Sequence, residues 1–484
     1  MSQTEERAFR IKKLESIRKL GINPYPSSSK RTHTCSECVV FFDEYVESQK
    51  TVSICGRVRM IRKHGGSIFL TIEDETAQFQ MYVKKDAVAK NDFTITSELL
   101  DIGDFVQAEG TLFRTRLGEK TLHVGNISIL TKALLPLPEK WHGLSDMETR
   151  YRKRYLDLIV NPSVRELFLK RSMLVKEMRS FFEEKGFMEV ETPMLQSIAG
   201  GAMARPFVTH HNSLDQDMFL RIAPELHLKR LIVGGYEKVF EIGKNFRNEG
   251  IDHSHNPEFT ELEAYMAYAD YEELMDLIEE LTVRLISKVK PDSSPPEIPF
   301  ARISYLAALE TYSGISQIIL RNEDELRIEW NKSEFQNDTF VSYGTMLDQL
   351  TKTYVLPKMS DPTFLIDHPV VLSPLSKRKS DDPALVERFQ LVMQGKEIVN
   401  AFSELNDPLD QKERFDEQEK NQVKGDQEAH PKDEDFIEAL EHGMPPTAGL
   451  GIGIDRLVAI LLGAHHLKEV ILFPTLKRDK AESE

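Results

Sequence analysis

One stretch restricts the fold more than any other: VFEIGKNFRNEGIDHSHNPEFTELEAYMAY, Val239 to Tyr268. It opens on an alternating run, Val239-Phe240-Glu241-Ile242, and closes on a second one, Phe259 to Tyr268. Alternation of apolar and polar residues is the mark of a strand. Between the runs lie the turn formers Asn248, Gly250, Asp252, Asn256 and Pro257. The pattern predicts an antiparallel hairpin with a long, charged tip, and Arg247 ends its first strand. Glu261 and Glu263 are two apart, so they share a face that Tyr265 and Ala267 continue. Buried charges cost several kcal/mol unless paired. The face is therefore either a salt-bridged surface or the wall of a site for a charged ligand.

Two distant stretches bear on that choice. TAGLGIGIDRLVAILLG, Thr447 to Gly463, reads as a small-residue strand running into a helix, with Leu457, Ile460 and Leu461 on the buried side. Arg456 falls in the helix's first turn, against the dipole preference for anions there. A bound anion touching both the arginine and the free N–H groups explains it; an exposed arginine at a packing joint is the alternative. SFFEEKGFMEVETPML, Ser180 to Leu195, predicts a helix ending at Gly186 and an extended strand with Pro193 near its end.

In this order the three stretches match the three signature motifs of the class II aminoacyl-tRNA synthetases. GGAMARPFVTHHN (Gly200 to Asn212), RIAPELHLKRL (Arg221 to Leu231) and KEIVNAFSELND (Lys396 to Asp407) narrow the match. From near its start to its end the chain resembles the bacterial-type class II lysyl-tRNA synthetases. The resemblance implies an α+β, multi-domain chain. A lead-in at 1–48 precedes an OB-fold anticodon-binding barrel at 49–135, a linker at 136–160 and a catalytic domain at 161–484 with a largely antiparallel sheet flanked by helices. It implies ATP-dependent activation of L-lysine to lysyl-adenylate and transfer to the 3′ end of tRNA(Lys), by a homodimer.

Composition sets limits on these expectations. The net charge of -16 excludes nucleic-acid binding through overall charge, so any RNA-binding patch is local. No apolar run is long enough to span a bilayer, and the start, MSQTEERAFRIKK, lacks a signal-peptide core. A cytoplasmic protein without membrane contact is expected. Cys35, Cys38 and Cys55 are too few for a disulfide framework. His33, Cys35 and Cys38 make at most half of a zinc site, so reduced thiols are expected.

Along the chain, Glu5 to Leu20 predicts an amphipathic, basic helix, either solvated or RNA-facing. Thr51–Arg59, Ser67–Glu73, Gln78–Val83, Asp104–Phe113 and Thr121–Ile129 read as five strands, which suits an OB barrel. GRVRMIRKHGGSIFL sets Arg57, Arg59, Arg62, Lys63 and His64 around Phe69. Basic residues interleaved with an aromatic suit single-stranded nucleic acid. By resemblance, Arg62, Phe69, Gln80 and Glu119 read the anticodon. A helix is predicted at about Val164 to Gly186, which the resemblance puts in the dimer interface, and another at Tyr271 to Val289. Glu323 to Phe340 is expected as an irregular insertion, Phe364 to Leu372 as an apolar strand and Gln411 to Asp435 as a solvated helix.

Lysine carries two ammoniums and one carboxylate, so its pocket needs anionic groups at two ends. The resemblance assigns Glu225 and Gly201 to the α-amino end, and Glu263, Tyr265, Asn400 and Glu404 to the side-chain ammonium. Clustered carboxylates take up protons unless a cation sits among them, and a dicationic substrate supplies one. For ATP it assigns Arg247 to the α-phosphate and the lysine carboxylate, with Arg247 and Arg456 as the catalytic pair. Glu249, His255 and Asn256 lie near the adenine and phosphates, Phe259 stacks one face of adenine, and Arg456 covers the other and touches the γ-phosphate. Mg²⁺ accompanies ATP, with Glu397 as its ligand. Gln390 stands where the family commonly has a second glutamate; it either binds the metal weakly or hydrogen-bonds a neighbour. Ser254 stands where some relatives have arginine. A non-catalytic RNA-binding paralogue is disfavoured by the retention of Arg247, Arg456, Phe259 and the three glutamates. An enzyme loading lysine onto protein is disfavoured by the barrel.

Overall fold

The computed structural model describes residues 2–138, 144–198, 200–201, 204–250, 252, 255–333, 335, 341–423 and 432–477. Ser254, part of 136–160, the end of 323–340 and most of 424–435 lie outside the described residues. The chain divides into two compact units, Met1–Ser145 and Asp146–Glu484.

The first unit is built on a closed barrel in the order β1-β2-β3-β5-β4. The strands are β1 Thr51–His64, β2 Ser67–Glu73, β3 Gln78–Lys84, β4 Phe105–Arg114 and β5 Lys120–Thr131. Alternation drives it: Ile68, Leu70 and Ile72 of β2, and Phe79, Met81 and Val83 of β3, are buried in one core. β1 runs past the expected Arg59, because after a bulge between Val58 and Met60 it keeps pairing with β2 as far as His64 opposite Ser67. The first helix, Gln3–Lys19, starts at a capping box formed by Ser2 and Glu5. Two of its basic residues are structural rather than free for RNA. Arg10 is buried, its Nη1 donating to the carbonyls of Ile102, Ala133 and Leu135, and Lys13 pairs with Asp101 at 2.6 Å. Cys35 and Cys38 are free and buried in the barrel core, and burial pushes the Cys38 thiol up to about 12.

The second unit carries an eight-stranded sheet and a three-stranded one. The small sheet holds β7 Leu195–Gln196, β8 Phe207–His211 and β9 Gln216–Leu220. The large one contains β6 Met188–Glu189, β10 Lys238–Phe246, β11 Glu258–Ala267, β12 Ala301–Ser304, β13 Thr363–Pro369, β14 Leu385–Met393, β15 Lys396–Ser403 and β16 Thr447–Gly453. Its order is β12-β13-β14-β15-β16-β11-β10-β6, antiparallel except for the edge pairs β12/β13 and β10/β6. The helices Pro162–Glu184, Tyr271–Val289 and Ile454–Leu462 cover one face, burying Phe181, Phe182, Leu274, Ile278, Leu457 and Ile460 with Phe240, Leu262 and Ala264. The opposite face of the central strands is where the polar residues of the hairpin collect.

Four expectations are corrected. Residues 147–160 are not a linker: Met147–Arg152 and Arg154–Val160 are helices, and Arg154, buried, donates to the carbonyls of Lys468, Ile471 and Leu472. The strand expected before Pro193 shrinks to Met188–Glu189, because beyond it Thr192 is held by the Glu241 side chain instead of by a partner strand. Glu323–Trp330 is a helix capped by Asn322, with Leu326 and Trp330 buried in a separate core, not an irregular insertion. The helix Pro408–Val423 is not simply solvated: Gln411, Arg414 and Phe415 are buried. Charges elsewhere on that helix hide a short apolar and pinning face, since Arg414 donates to the carbonyls of Ser373 and Ser376. Smaller differences are ends: the strand at 364 closes at Pro369 and turns through Val370–Leu372.

Candidate active site

The hairpin of β10 and β11 sets the geometry. Its register pairs Gly243 with Glu261 and Glu241 with Glu263, so side chains from both strands alternate onto one face. β16 pairs with β11 on the far side, Gly451 opposite Glu263 and Gly449 opposite Tyr265. Two glycines thus face two large polar side chains. A Cβ at Gly449 would stand 2.1 Å from Glu404 Oε1 and 2.4 Å from Tyr265 Cε1, so only glycine fits there. The result is a cavity of about 740 Å³ over the sheet.

That cavity brings together Gly201, Glu225, Arg247, Glu249, His255, Asn256, Phe259, Glu263, Tyr265, Glu397, Asn400 and Arg456. Glu404 stands in the wall behind it, buried to 1% exposure just after β15. Gln390 does not line the cavity; it sits on β14 opposite Asn400.

One end of the cavity is carboxylate-rich and buried. Glu225 opens the helix Glu225–Val233, packed under Gly201, whose φ is +90°. Glu263 Oε2 accepts from the Tyr265 hydroxyl at 2.9 Å. Burial, and then the neighbouring carboxylates, push Glu263 well above the ordinary carboxylate range; burial also raises Glu404 and Glu225, against the pull of Lys229. Lys229, one helical turn beyond Glu225, is fully buried, 2.6 Å from Glu225 and paired with Glu404. The sequence reading missed it, although an i, i+4 Glu–Lys spacing was visible in APELHLK. Glu404 Oε1 is buried with no hydrogen-bond partner among the described residues.

The other end is open. Arg247 lies over the Phe259 ring, 4.9 Å from its centroid, and its buried Nε has no hydrogen-bond partner among the described residues. Arg456 is the third residue of the helix Ile454–Leu462. Its neighbour Asp455 pairs with Arg171 at 2.7 Å and accepts from the Thr260 amide, which ties that helix start to β11. Arg456 itself reaches the Glu397 carbonyl at 3.4 Å and His255 Nε2 at 3.3 Å. His255 is held through Nδ1 by Asp252. Asn256 is buried and braces the tip, donating to the Glu258 carbonyl and accepting from the Thr475 amide.

Glu397 is the one carboxylate facing this end from β15. Gln390 Nε2 donates to Glu397 Oε2 at 2.9 Å, and Gln390 Oε1 lies 3.2 Å from His368 Nε2. Burial, with Arg388 nearby, holds His368 well below its usual range, and its Nδ1 lies 3.4 Å from the Arg388 carbonyl. Of the two alternatives for Gln390, the geometry displays the hydrogen bonds to neighbours, with its amide nitrogen engaged by Glu397 and its oxygen beside His368. Among the described residues no cluster of three or more His, Cys, Asp or Glu could hold a metal ion. Arg388 donates from Nε to Asn400 Oδ1 at 2.8 Å, a second contact the sequence reading missed.

In the barrel unit, Arg62 pairs in register with Phe69, and Thr71 with Gln80, all on the outer face. Gln80 donates to Thr121 Oγ1, and Glu119 sits in the β4–β5 turn, its amide donating to Thr115 Oγ1. Phe69 is one ring of a wider group: Tyr82 lies 5.0 Å from it, with His123 and Phe113 about 6 Å further on. These rings were legible only once the register was known.

The family follows from comparison with known proteins. A family model described as tRNA synthetases class II (D, K and N) matches residues 146–477, and one described as an OB-fold nucleic acid binding domain matches residues 52–130. The chain belongs to the class II tRNA synthetases, in this D, K and N group. Within it, relatives of nearly equal length are lysine–tRNA ligases. That of Carboxydothermus hydrogenoformans is 48% identical over 476 residues, covering 97% of both chains. That of Pelotomaculum thermopropionicum is 49% identical over 479 residues, covering 97% of this chain and 94% of its own. That of Helicobacter pylori is 48% identical over 484 residues, covering 97% and 96%.

Proposed function

We propose that this protein is a lysine–tRNA ligase, activating L-lysine with ATP and transferring it to tRNA(Lys). The observation that carries this is the buried carboxylate end of the cavity, where Glu225, Glu263 and Glu404 stand around a space that Gly449 and Gly451 keep open. Glu225 and Gly201 take the α-amino group. Glu263, Tyr265 and Glu404 take the side-chain ammonium. Asn400 joins them: Arg388 fills one lone pair of its oxygen, and the second remains to accept from the ammonium.

Arg247 binds the lysine carboxylate and the α-phosphate through its guanidinium, whose buried Nε has no hydrogen-bond partner among the described residues. Adenine stacks on the face of Phe259 that Arg247 leaves uncovered, Glu249, His255 and Asn256 border it, and Arg456 covers it and reaches the γ-phosphate. A lysine carboxylate oxygen attacks the α-phosphorus, the bond to the bridging oxygen breaks, and pyrophosphate leaves. Rate comes from alignment and from guanidinium charge set against the phosphates. Transfer to the terminal ribose of tRNA follows.

The donor set fits Mg²⁺ carried in on ATP, since Mg²⁺ takes one or two carboxylates and keeps phosphates and water for the rest. Glu397 is that carboxylate, and the ion supplies charge neutralisation at the phosphates. Arg62, Phe69, Gln80 and Glu119 read the anticodon. Leu169 of the long helix, Met188 of β6, and Met194 and Leu195 at β7 are exposed apolar residues, which supports a homodimer formed through these elements. Among the described residues no helix is long and apolar enough to cross a membrane; the cytoplasm is the proposed compartment. ATP–pyrophosphate exchange that requires L-lysine, followed by charging of tRNA(Lys), tests the whole reading; exchange that ignores lysine would sink it.

A further inference from the structure

Behind the pocket's carboxylates lies a cation that the substrate does not bring. Lys229 is fully buried on the helix Glu225–Val233. Its ammonium lies 2.6 Å from Glu225 Oε1 and pairs with Glu404 Oε2. The rings of Phe402 and Phe436 stand 5.4 and 5.9 Å from it. Burial alone would push such an ammonium down; the two glutamates hold it above its ordinary value, so it is charged.

Three features give this ion a task beyond packing. It joins glutamates assigned to opposite ends of the substrate, and so fixes their separation. It engages one oxygen of Glu404, while the other, Oε1, is buried without a partner among the described residues and borders the gap that Gly449 leaves. It also sets the charge. Glu225, Glu263 and Glu404, ionised, carry three negative charges, Lys229 offsets one, and the remainder matches the two ammoniums of free lysine. Other charged groups surround that cluster: Arg221, which pairs with Glu241, stands near Glu263, and Arg247 lines the same cavity. Glu261, held by Asn245 Nδ2 at 2.6 Å, and Arg388, held by Asn400, offset each other. Tyr265, raised by burial and by Glu225, Glu263 and Glu404, keeps its proton.

We infer that Lys229 is a positioning residue for lysine recognition: its ammonium bridges Glu225 and Glu404, holds a Glu404 oxygen at the pocket and tunes the pocket's charge to the substrate's two positive groups. This rests on reading the cavity as the lysine site.

Lys229→Met keeps the length of the side chain and removes the charge. In lysine-dependent pyrophosphate exchange, KM for lysine should rise roughly 100-fold, the cost of breaking a buried charge pair, while KM for ATP stays within about threefold. Without the ammonium, Glu225 and Glu404 keep their protons to higher pH, and a protonated carboxyl does not hold an ammonium. The acid limb of kcat/KM for lysine should therefore move to higher pH, with the ATP profile unmoved. The double variant Lys229→Met, Glu404→Gln should lose less than the product of the two single losses, because the Lys229–Glu404 bridge is lost only once although Glu225 still loses its partner. If Lys229→Met folds only when Glu404 is also neutralised, the charge role is supported. Equal losses for lysine and ATP with an unmoved acid limb, or losses that multiply in the double variant, overturn the proposal. A wild-type lysine KM in Glu404→Gln would instead overturn the pocket reading beneath it.

Discussion

The two ends of the cavity solve opposite problems. At the lysine end, Glu225, Glu263, Tyr265 and Glu404 are all buried, and each has a protein partner already in place. At the nucleotide end, Glu249 and His255 are exposed, Arg247 and Phe259 are only half-buried, and the arginines make few fixed contacts. The contrast fits the ligands proposed for the two ends. A side-chain ammonium is small and must be told from other amino acids, which takes dry acceptors, held in place by protein partners, whose remaining desolvation only the right cation offsets. Triphosphate brings several charges and its own metal, so half-buried guanidiniums suffice. Selectivity should accordingly be concentrated in the buried end and be fragile there.

The largest effect is expected from Glu404→Gln. Removing one partner of a buried charged group costs about 3–5 kcal/mol, so KM for lysine should rise by two to three orders of magnitude, roughly, with KM for ATP nearly intact. If both KM values rose together, the separation of the two ends would be wrong. Next comes Gly449→Ala, whose Cβ would lie 2.1 Å from Glu404 Oε1 and 2.4 Å from Tyr265. Overpacking a tight site costs about 1–3 kcal/mol, so lysine use should fall some ten- to hundredfold while ATP binding, measured by equilibrium dialysis, barely changes. An alanine variant with wild-type lysine kinetics would show that the gap is not where the substrate lies.

How much of this was legible in the sequence differs between the same two ends. The hairpin, the barrel strands and the helix after β16 were all predicted, because each carries strong alternation or a capped amphipathic run. The residues that line the cavity were named through a family resemblance, and the cavity indeed collects all but Glu404 and Gln390 of those assigned to the catalytic unit. What escaped were residues whose meaning depends on a partner far away in the chain. Lys229 reads as an ordinary helix lysine until Glu404 arrives 175 positions later. Arg388 and His368 gain roles only through the register of β13, β14 and β15. Charge density misled at Glu323–Trp330 and at Pro408–Val423, where a few buried side chains, not the many exposed charges, decide the packing.

The barrel extends the comparison to a third surface, one proposed to read an open, flexible ligand. Phe69→Ala should lower charging of tRNA(Lys) by the worth of a base–aromatic stack, about 1–3 kcal/mol, and spare lysine-dependent pyrophosphate exchange. Because Phe69 faces outward from β2 while Ile68 and Leu70 fill the core, the thermal midpoint of the barrel should hardly move. Equal loss of both activities would mean that the ring supports the fold and not the anticodon.

The smallest effect is expected at Gln390, and it sharpens what holds the nucleotide end in order. Gln390 Nε2 donates to Glu397 Oε2 at 2.9 Å, with its oxygen against His368. Glu397 is thereby oriented without a second negative charge beside it. Gln390→Glu would replace that donor by a carboxylate at the same distance, and two close carboxylates repel unless a cation joins them. Mg²⁺ prefers charged oxygens and phosphates to neutral amides. Titrating Mg²⁺ in pyrophosphate exchange at saturating ATP and lysine should then show a midpoint several-fold lower in the variant, a shift of about 1 kcal/mol, with kcat at high Mg²⁺ little changed. Gln390→Leu, which removes the donor without adding charge, should leave the midpoint alone and lower kcat, because Glu397 loses its brace. A midpoint that stays fixed in Gln390→Glu would mean that position 390 only packs against His368 and that Glu397 needs no help from it.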